Sequence, residues 1–321
     1  MVGAGGTYSL SFGTLNAGSE TISGIGATFL HTGDTNTVTG ALTIGSGGLY
    51  ALSKPAGAPF NTGFSVGSLA IQAGGTLNIS DGGQGLVLGN VTNAGNLTID
   101  GTLAAAILTV NGTYTQTGSG SKTLLNGGML DPTNINISAG TFGGTGTVVG
   151  DMNVTGGTIQ VGDAPGPLDI MGDYTQTSGE IIFEIDPDGM GGFDVGTLVL
   201  EAGKSVTISD TNIILDFLDG ADPMAFLSDG LLKIDTFFKE SDGSLFSGDF
   251  YLSQLFATDI FDTNDPSVGV NFNPVTDALT LVQEQNVPEP GSRWMLLSGI
   301  GLLIVVMRYR PRVRPRMGAE A

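Results

Sequence analysis

Apolar and polar positions alternate with a period of two along much of the chain, in short runs closed by glycine together with Asn, Asp, Ser or Thr. Gly75-Thr76-Leu77-Asn78-Ile79, Leu86-Val87-Leu88-Gly89-Asn90, Gly95-Asn96-Leu97-Thr98-Ile99-Asp100-Gly101 and Gly157-Thr158-Ile159-Gln160-Val161-Gly162 are examples. A strand sends successive side chains to opposite faces, and Gly and Asn turn a chain tightly. From Thr7 to about Val161 the pattern therefore predicts strands and turns, not helices. Leu77, Leu86, Leu97 and Leu108 stand 9, 11 and 11 residues apart, so a strand is expected about every ten residues, with two such steps to one coil of a solenoid. Tyr114-Thr115-Gln116-Thr117-Gly118 returns 60 residues later as Tyr174-Thr175-Gln176-Thr177-Ser178-Gly179, and 60 fits three coils of about 20. A β-sandwich spaces its strands in the same way. Short strands rich in Thr and Asn, with glycine at most corners, favour the solenoid, in which each coil bonds only to its neighbours.

After about Phe193 the pattern changes. Ile213-Ile214-Leu215-Asp216-Phe217-Leu218 and Leu231-Leu232-Lys233-Ile234-Asp235-Thr236-Phe237-Phe238 are longer and more aromatic. Larger apolar side chains bury more area, at about 25 cal/mol per Å² removed from water, as an end that must be sealed requires. The expected organisation is solenoid repeats over 1–192, a closing β-region or cap over 193–283 ending on the strand Leu279-Thr280-Leu281-Val282, and a linker with a distinct tail over 284–321.

The tail has three parts: Val287-Pro288-Glu289-Pro290, an uncharged apolar run from Trp294 to Met307, and a basic cluster with Arg308, Arg310, Arg312, Arg314 and Arg316. Two prolines hold 287–290 extended and accessible to a protease. The apolar run predicts one short transmembrane helix, with Trp294 at the membrane interface. Its fourteen residues reach about 21 Å at about 1.5 Å each, short of the roughly 30 Å hydrocarbon core, so it would be a weak permanent anchor. The arginines orient it with the C-terminus cytoplasmic and residues 1–287 outside the inner membrane. In this order the three parts resemble the PEP-CTERM sorting signal of Gram-negative bacteria. The resemblance implies cleavage near Val287, Pro288, Glu289 and Pro290 by an exosortase, a membrane protease-transferase, after transient residence in the inner membrane. An ordinary C-terminal anchor and a buried hairpin helix are the alternatives.

A second resemblance covers about a quarter of the chain. Residues 139–159, 162–170 and 172–176, continued by 181–185 and 193–200, are similar to the passenger-associated strand repeat of autotransporters, whose passengers are right-handed parallel β-helices. No transmembrane β-barrel follows these repeats, so the likeness informs the fold and not the export route. Together the two resemblances give an all-β expectation: a right-handed parallel β-helix with a C-terminal β cap and one short C-terminal transmembrane helix.

Composition narrows the function. The 321 residues include 53 glycines without a Gly-X-Y period, which excludes collagen, and a mean hydropathy of +0.22 argues against disorder. Without cysteine there are no disulfides and no thiolate sites. All six arginines lie at Arg293 or beyond, leaving five lysines against 29 acids in residues 1–287, a net charge of −24. Such a body repels nucleic acid and anionic lipid. Residues 1–8 have neither a basic region nor an apolar stretch of a secretory signal, so a leader is expected upstream.

His31 is the sole histidine, in the turn-like Leu30-His31-Thr32-Gly33-Asp34, and is expected in a solvated loop rather than in a catalytic triad. Gly144-Thr145-Gly146-Thr147-Val148-Val149-Gly150 imitates a phosphate loop but no helix start follows, so strand and turn are expected. Asp186, Asp188 and Asp194 are the best calcium candidates on a glycine-rich loop, although the loop fails the EF-hand spacing. For them, as for Asp216, Asp219 and Asp222 and for Asp259, Asp262 and Asp265, the role of solvated turn acids is favoured. β-Helical lyases commonly use an arginine base, and residues 1–287 contain none. The expectation is a non-enzymatic structural or adhesive protein of the envelope or extracellular matrix. It needs no cofactor, and its partners are an exosortase and exopolysaccharide or envelope components. A hydrolase using paired aspartates and a calcium-stabilised adhesin are the alternatives.

Overall fold

The computed structural model describes residues 1–55, 62–162, 166–218, 221, 225–226, 234–243, 249–250, 268–273, 278–283 and 305–307. Within them the protein is all-β, apart from helical turns such as Ile234–Phe237. Among the described residues twenty-six strands join one sheet, and every pairing in it is parallel except one, between Gly179–Pro187 and Phe193–Val195. Parallel neighbours cannot be joined by a tight turn. Here each strand pairs with one about twenty residues further on, and the intervening chain is occupied by other strands.

The pairings fall into three ladders. The first runs through Thr7–Leu10, Ala27–His31, Gly48–Ser53, Thr76–Ser80 and Asn96–Asp100, and reaches Thr158–Val161, Gly179–Pro187 and Thr211–Phe217. The second contains Leu15–Ala17, Gln84–Val87, Pro167–Met171 and Thr197–Leu200. The third contains Glu20–Ile22, Val91–Asn93, Asp151–Val154, Tyr174–Gln176 and Val206–Ile208. Long strands such as Thr35–Ile44 and Ile107–Gln116 cross from the second ladder to the third, and the register shifts where they bend. Each repeat thus contributes three strands, not the two expected from the leucine spacing. The missed strand is typified by Val91–Asn93, which has a single aliphatic residue and so too little alternation to register.

Inside, in-register stacking repeats the same position from one repeat to the next. Phe29 and Tyr50, both buried, and the exposed Tyr8 that ends their row are successive partners in the first ladder. Ring centroids are 4.9 Å apart for Tyr8 and Phe29 and 4.7 Å for Phe29 and Tyr50, and Phe29 and Tyr50 lie 7° from coplanar. Further on, Leu77, Leu97, Phe142, Ile159 and Ile181 fill that row, all buried. The echo at Tyr114 and Tyr174 spans three steps of the third ladder, through Ile135 and Met152. At one corner glycines stack: Gly140, Gly157 and Gly179 all have positive φ, and a Cβ on Gly157 or Gly179 would lie 2.6 or 2.2 Å from the carbonyl oxygen of the glycine before it. At another corner side chains join successive repeats, with the amides of Thr113, Asp173 and Ser205 donating to Asn90, Asp151 and Asp173.

The ladders continue past residue 193. Thr197–Leu200, Val206–Ile208 and Thr211–Phe217 extend all three, and Phe238–Glu240 and Asp249–Phe250 extend two of them further. Phe183, Phe217, Phe226, Phe237 and Phe238 form a buried aromatic group there, with contacting centroids 5.0–6.2 Å apart. Leu279-Thr280-Leu281-Val282 lies within the strand Ala278–Gln283, antiparallel to Val268–Asn273. Of the apolar tail expected as a helix, residues 294–304 lie outside the described residues. Val305–Met307 is a strand paired with Ile213–Leu215, where the β-branched Val305 and Val306 favour the extended backbone. Among the described residues no helix is long and apolar enough to cross a membrane.

Candidate functional site

Polar side chains in the interior form the most elaborate chemistry of the described residues. His31 ends the strand Ala27–His31, in which Ala27, Phe29 and His31 point inward, so it is fully buried and not in a solvated loop as expected. Burial lowers its pKa and keeps the ring neutral. The pattern fits a ring whose Nε2–H donates to the Asp34 carbonyl at 3.1 Å and whose Nδ1 accepts from the Tyr50 hydroxyl at 2.8 Å. Asn36 donates through Nδ2 to Tyr50 at 3.2 Å and to Glu20 at 2.8 Å. Glu20 is 6% exposed; burial raises its pKa, and the Asn36 bond offsets part of that rise.

A second interior cluster is neutral. Asn93 Nδ2 donates to Tyr114 at 2.9 Å and to Thr123 at 3.1 Å, and its Oδ1 accepts from the Gly95 amide at 3.0 Å. Tyr114 and Thr123 hydroxyls are 2.5 Å apart, and Thr123 donates to Gln116 Oε1 at 2.6 Å. Gln116 Nε2 then donates to the carbonyls of Ala139 and Thr141, both at 3.1 Å. In the echo, Tyr174 donates to Gln176, which donates to the Ser178 and Glu180 carbonyls. The repeated Tyr-x-Gln is therefore a device that ties a corner, and sequence reading saw the repetition without its purpose.

The calcium candidates are placed on a hairpin. Asp186 and Asp194 are cross-strand partners, while Asp188 Oδ1 accepts from the amides of Met190 at 2.7 Å and Gly192 at 2.8 Å. These bonds lower the Asp188 pKa and close the turn, the role expected of a turn acid. Glu184, in register with Asp216, is buried and accepts from Gln160. Among the described residues no group of three or more His, Asp or Glu side chains is arranged to hold a metal ion. Asp219, Asp222, Asp259, Asp262 and Asp265 lie outside the described residues. Residues 144–149 lie in the strand Thr141–Val149, with positive φ at Gly144 and Gly146, so the phosphate-loop imitation is strand.

The sorting residues Val287, Pro288, Glu289 and Pro290, with Trp294, Arg308, Arg310, Arg312, Arg314 and Arg316, lie outside the described residues. No curated protein and no solved structure matches the chain. One family does match, over a short segment that coincides with this tail. Residues 286–310 carry the PEP-CTERM protein-sorting motif, which implies exosortase-dependent sorting of an exported protein to the envelope or the extracellular space.

Proposed function

We propose that the chain is a non-enzymatic structural or adhesive protein whose tail is removed by an exosortase near Pro288 and Pro290, after a transient stay in the inner membrane. The observation that carries this reading is the motif at 286–310, because its apolar part is too short for a comfortable permanent anchor and its arginines fix the orientation. The body is read as a right-handed parallel β-helix. Three parallel ladders fed in turn by each repeat support that architecture, and the strong preference for right-handed parallel crossovers supports its hand. A structural role is supported by the use of the interior polar groups: Tyr114, Gln116 and Gln176 bind corner carbonyls and neighbouring side chains, which rigidifies the repeat.

The test is made in cells that contain an exosortase. Replacing Pro288 and Pro290 by Ala should leave the uncut form in the inner membrane while the body folds normally, as read by C-terminal mass and circular dichroism. An intact C-terminus on the mature wild-type protein would sink the reading. Release of reducing ends from acidic or neutral polysaccharide would show a hydrolase instead.

A further inference from the structure

A groove of about 390 Å³ opens on the flank formed by the second ladder. Two rows of outward positions form it. Thr35, Gly63, Gln84 and Ile107 are successive partners in one row, and Ser65, Leu86 and Thr109 in the next. Four strands at about 4.8 Å make the groove about 14 Å long, room for a short stretch of polymer. Gly63 bares its floor: a Cβ there would stand 2.2 Å from the Gln84 carbonyl oxygen, so that position must lack a side chain.

The lining chemistry restricts the occupant. Among the described residues none of the lining side chains is charged, although residues 1–287 carry a net −24. An ionic ligand would find no counter-charge in the groove, and an anion would be repelled by the body. The half-buried Leu86 and Ile107 give an apolar centre, and Thr35, Ser65, Gln84 and Thr109 surround it with hydroxyls and an amide. The backbone of the strands from Gly63 and Gln84 is already paired on both sides, so a peptide cannot dock by adding a strand. An apolar patch inside a neutral hydrogen-bonding rim matches a sugar ring, which has C–H faces and a hydroxyl edge.

We infer that this groove binds an uncharged polysaccharide chain. The inference rests on the adhesive reading above and names its ligand class. Full-length protein in mild detergent is run through native gels containing dextran, galactomannan or the polyanion alginate. At least one neutral polymer should retard the wild type, and alginate should not. Gln84→Ala removes an exposed hydrogen-bonding group and should weaken the retardation about fivefold. Ser65→Leu, which fills the groove, should abolish it. Asn153→Ala, on the outward face of the third ladder, should change nothing. Should Ser65→Leu fail to fold, the exposed Gln84 position still decides. No retardation by either neutral polymer, equal retardation by alginate, or retardation untouched by Gln84→Ala overturns the inference. Tail processing is scored separately, so normal cleavage without polymer binding defeats the groove assignment alone.

Discussion

The two interior clusters solve one packing problem with different chemistry. Around Tyr50 stand His31, Asn36 and, bonded through Asn36, Glu20, and two of these three can change charge. Around Tyr114 stand Asn93, Thr123 and, bonded through Thr123, Gln116, none of which does so. Both tyrosines are buried, and burial pushes both phenols above their ordinary pKa, so each acts as a neutral hydroxyl. The central cluster ends on backbone carbonyls and is closed, whereas Asn36 Oδ1 in the first cluster has no hydrogen-bond partner. A neutral network fixes a corner equally at any physiological pH. One built on a carboxyl and an imidazole links the stability of the first repeats to proton concentration.

The largest test of the comparison is removal of the rings. Tyr50→Ala and Tyr114→Ala should each cost about 3–5 kcal/mol in urea unfolding, from lost burial and the cavity left behind. A cost confined to one of them would break the parallel. Next comes Gln116→Leu, which leaves the Ala139 and Thr141 carbonyls without that donor and should cost about 1–3 kcal/mol, with a similar loss for Gln176→Leu.

The smallest effect is the pH slope, and it separates the clusters most sharply. His31 has a folded pKa below its ordinary 6.5, so its contribution is present above 6.5 and is lost as pH falls through the lowered value. Glu20 has a folded pKa above its ordinary 4.5, so its contribution is present below 4.5 and is lost as pH rises through the raised value. Urea midpoints measured from pH 4 to 8 should therefore lose their decline below pH 6.5 in His31→Gln. In Glu20→Gln they should lose the decline on the alkaline side of 4.5. Asn93→Ala should shift the midpoint without changing its slope; a slope change there would remove the distinction.

Parts of this were readable from the chain. Leu97 and Ile99 alternate with Asn96 and Thr98, and Leu77 and Ile79 with Thr76 and Asn78, because one face is buried, and the structure buries those apolar residues. The tail was equally legible, since extended prolines, an uncharged run and clustered arginines are local properties, and the motif at 286–310 coincides with them. His31 misled because Thr32-Gly33-Asp34 reads as a turn, although Ala27 and Phe29 already set the inward phase that it continues. Val91–Asn93 was too short to show a period, which hid the third ladder. The groove gave no signal: Thr35, Ser65, Gln84 and Thr109 are ordinary strand residues until register aligns them.

By itself the sequence determined that the chain is β, where many of its strands lie, and the address written in its tail, because alternation, turn residues and charge order act over a few neighbours. Tertiary structure alone decided how many strands make a repeat, which polar side chains are enclosed, and which residues meet on a flank. Those outcomes depend on pairing between positions about twenty residues apart, and a short strand does not record which partner it will meet.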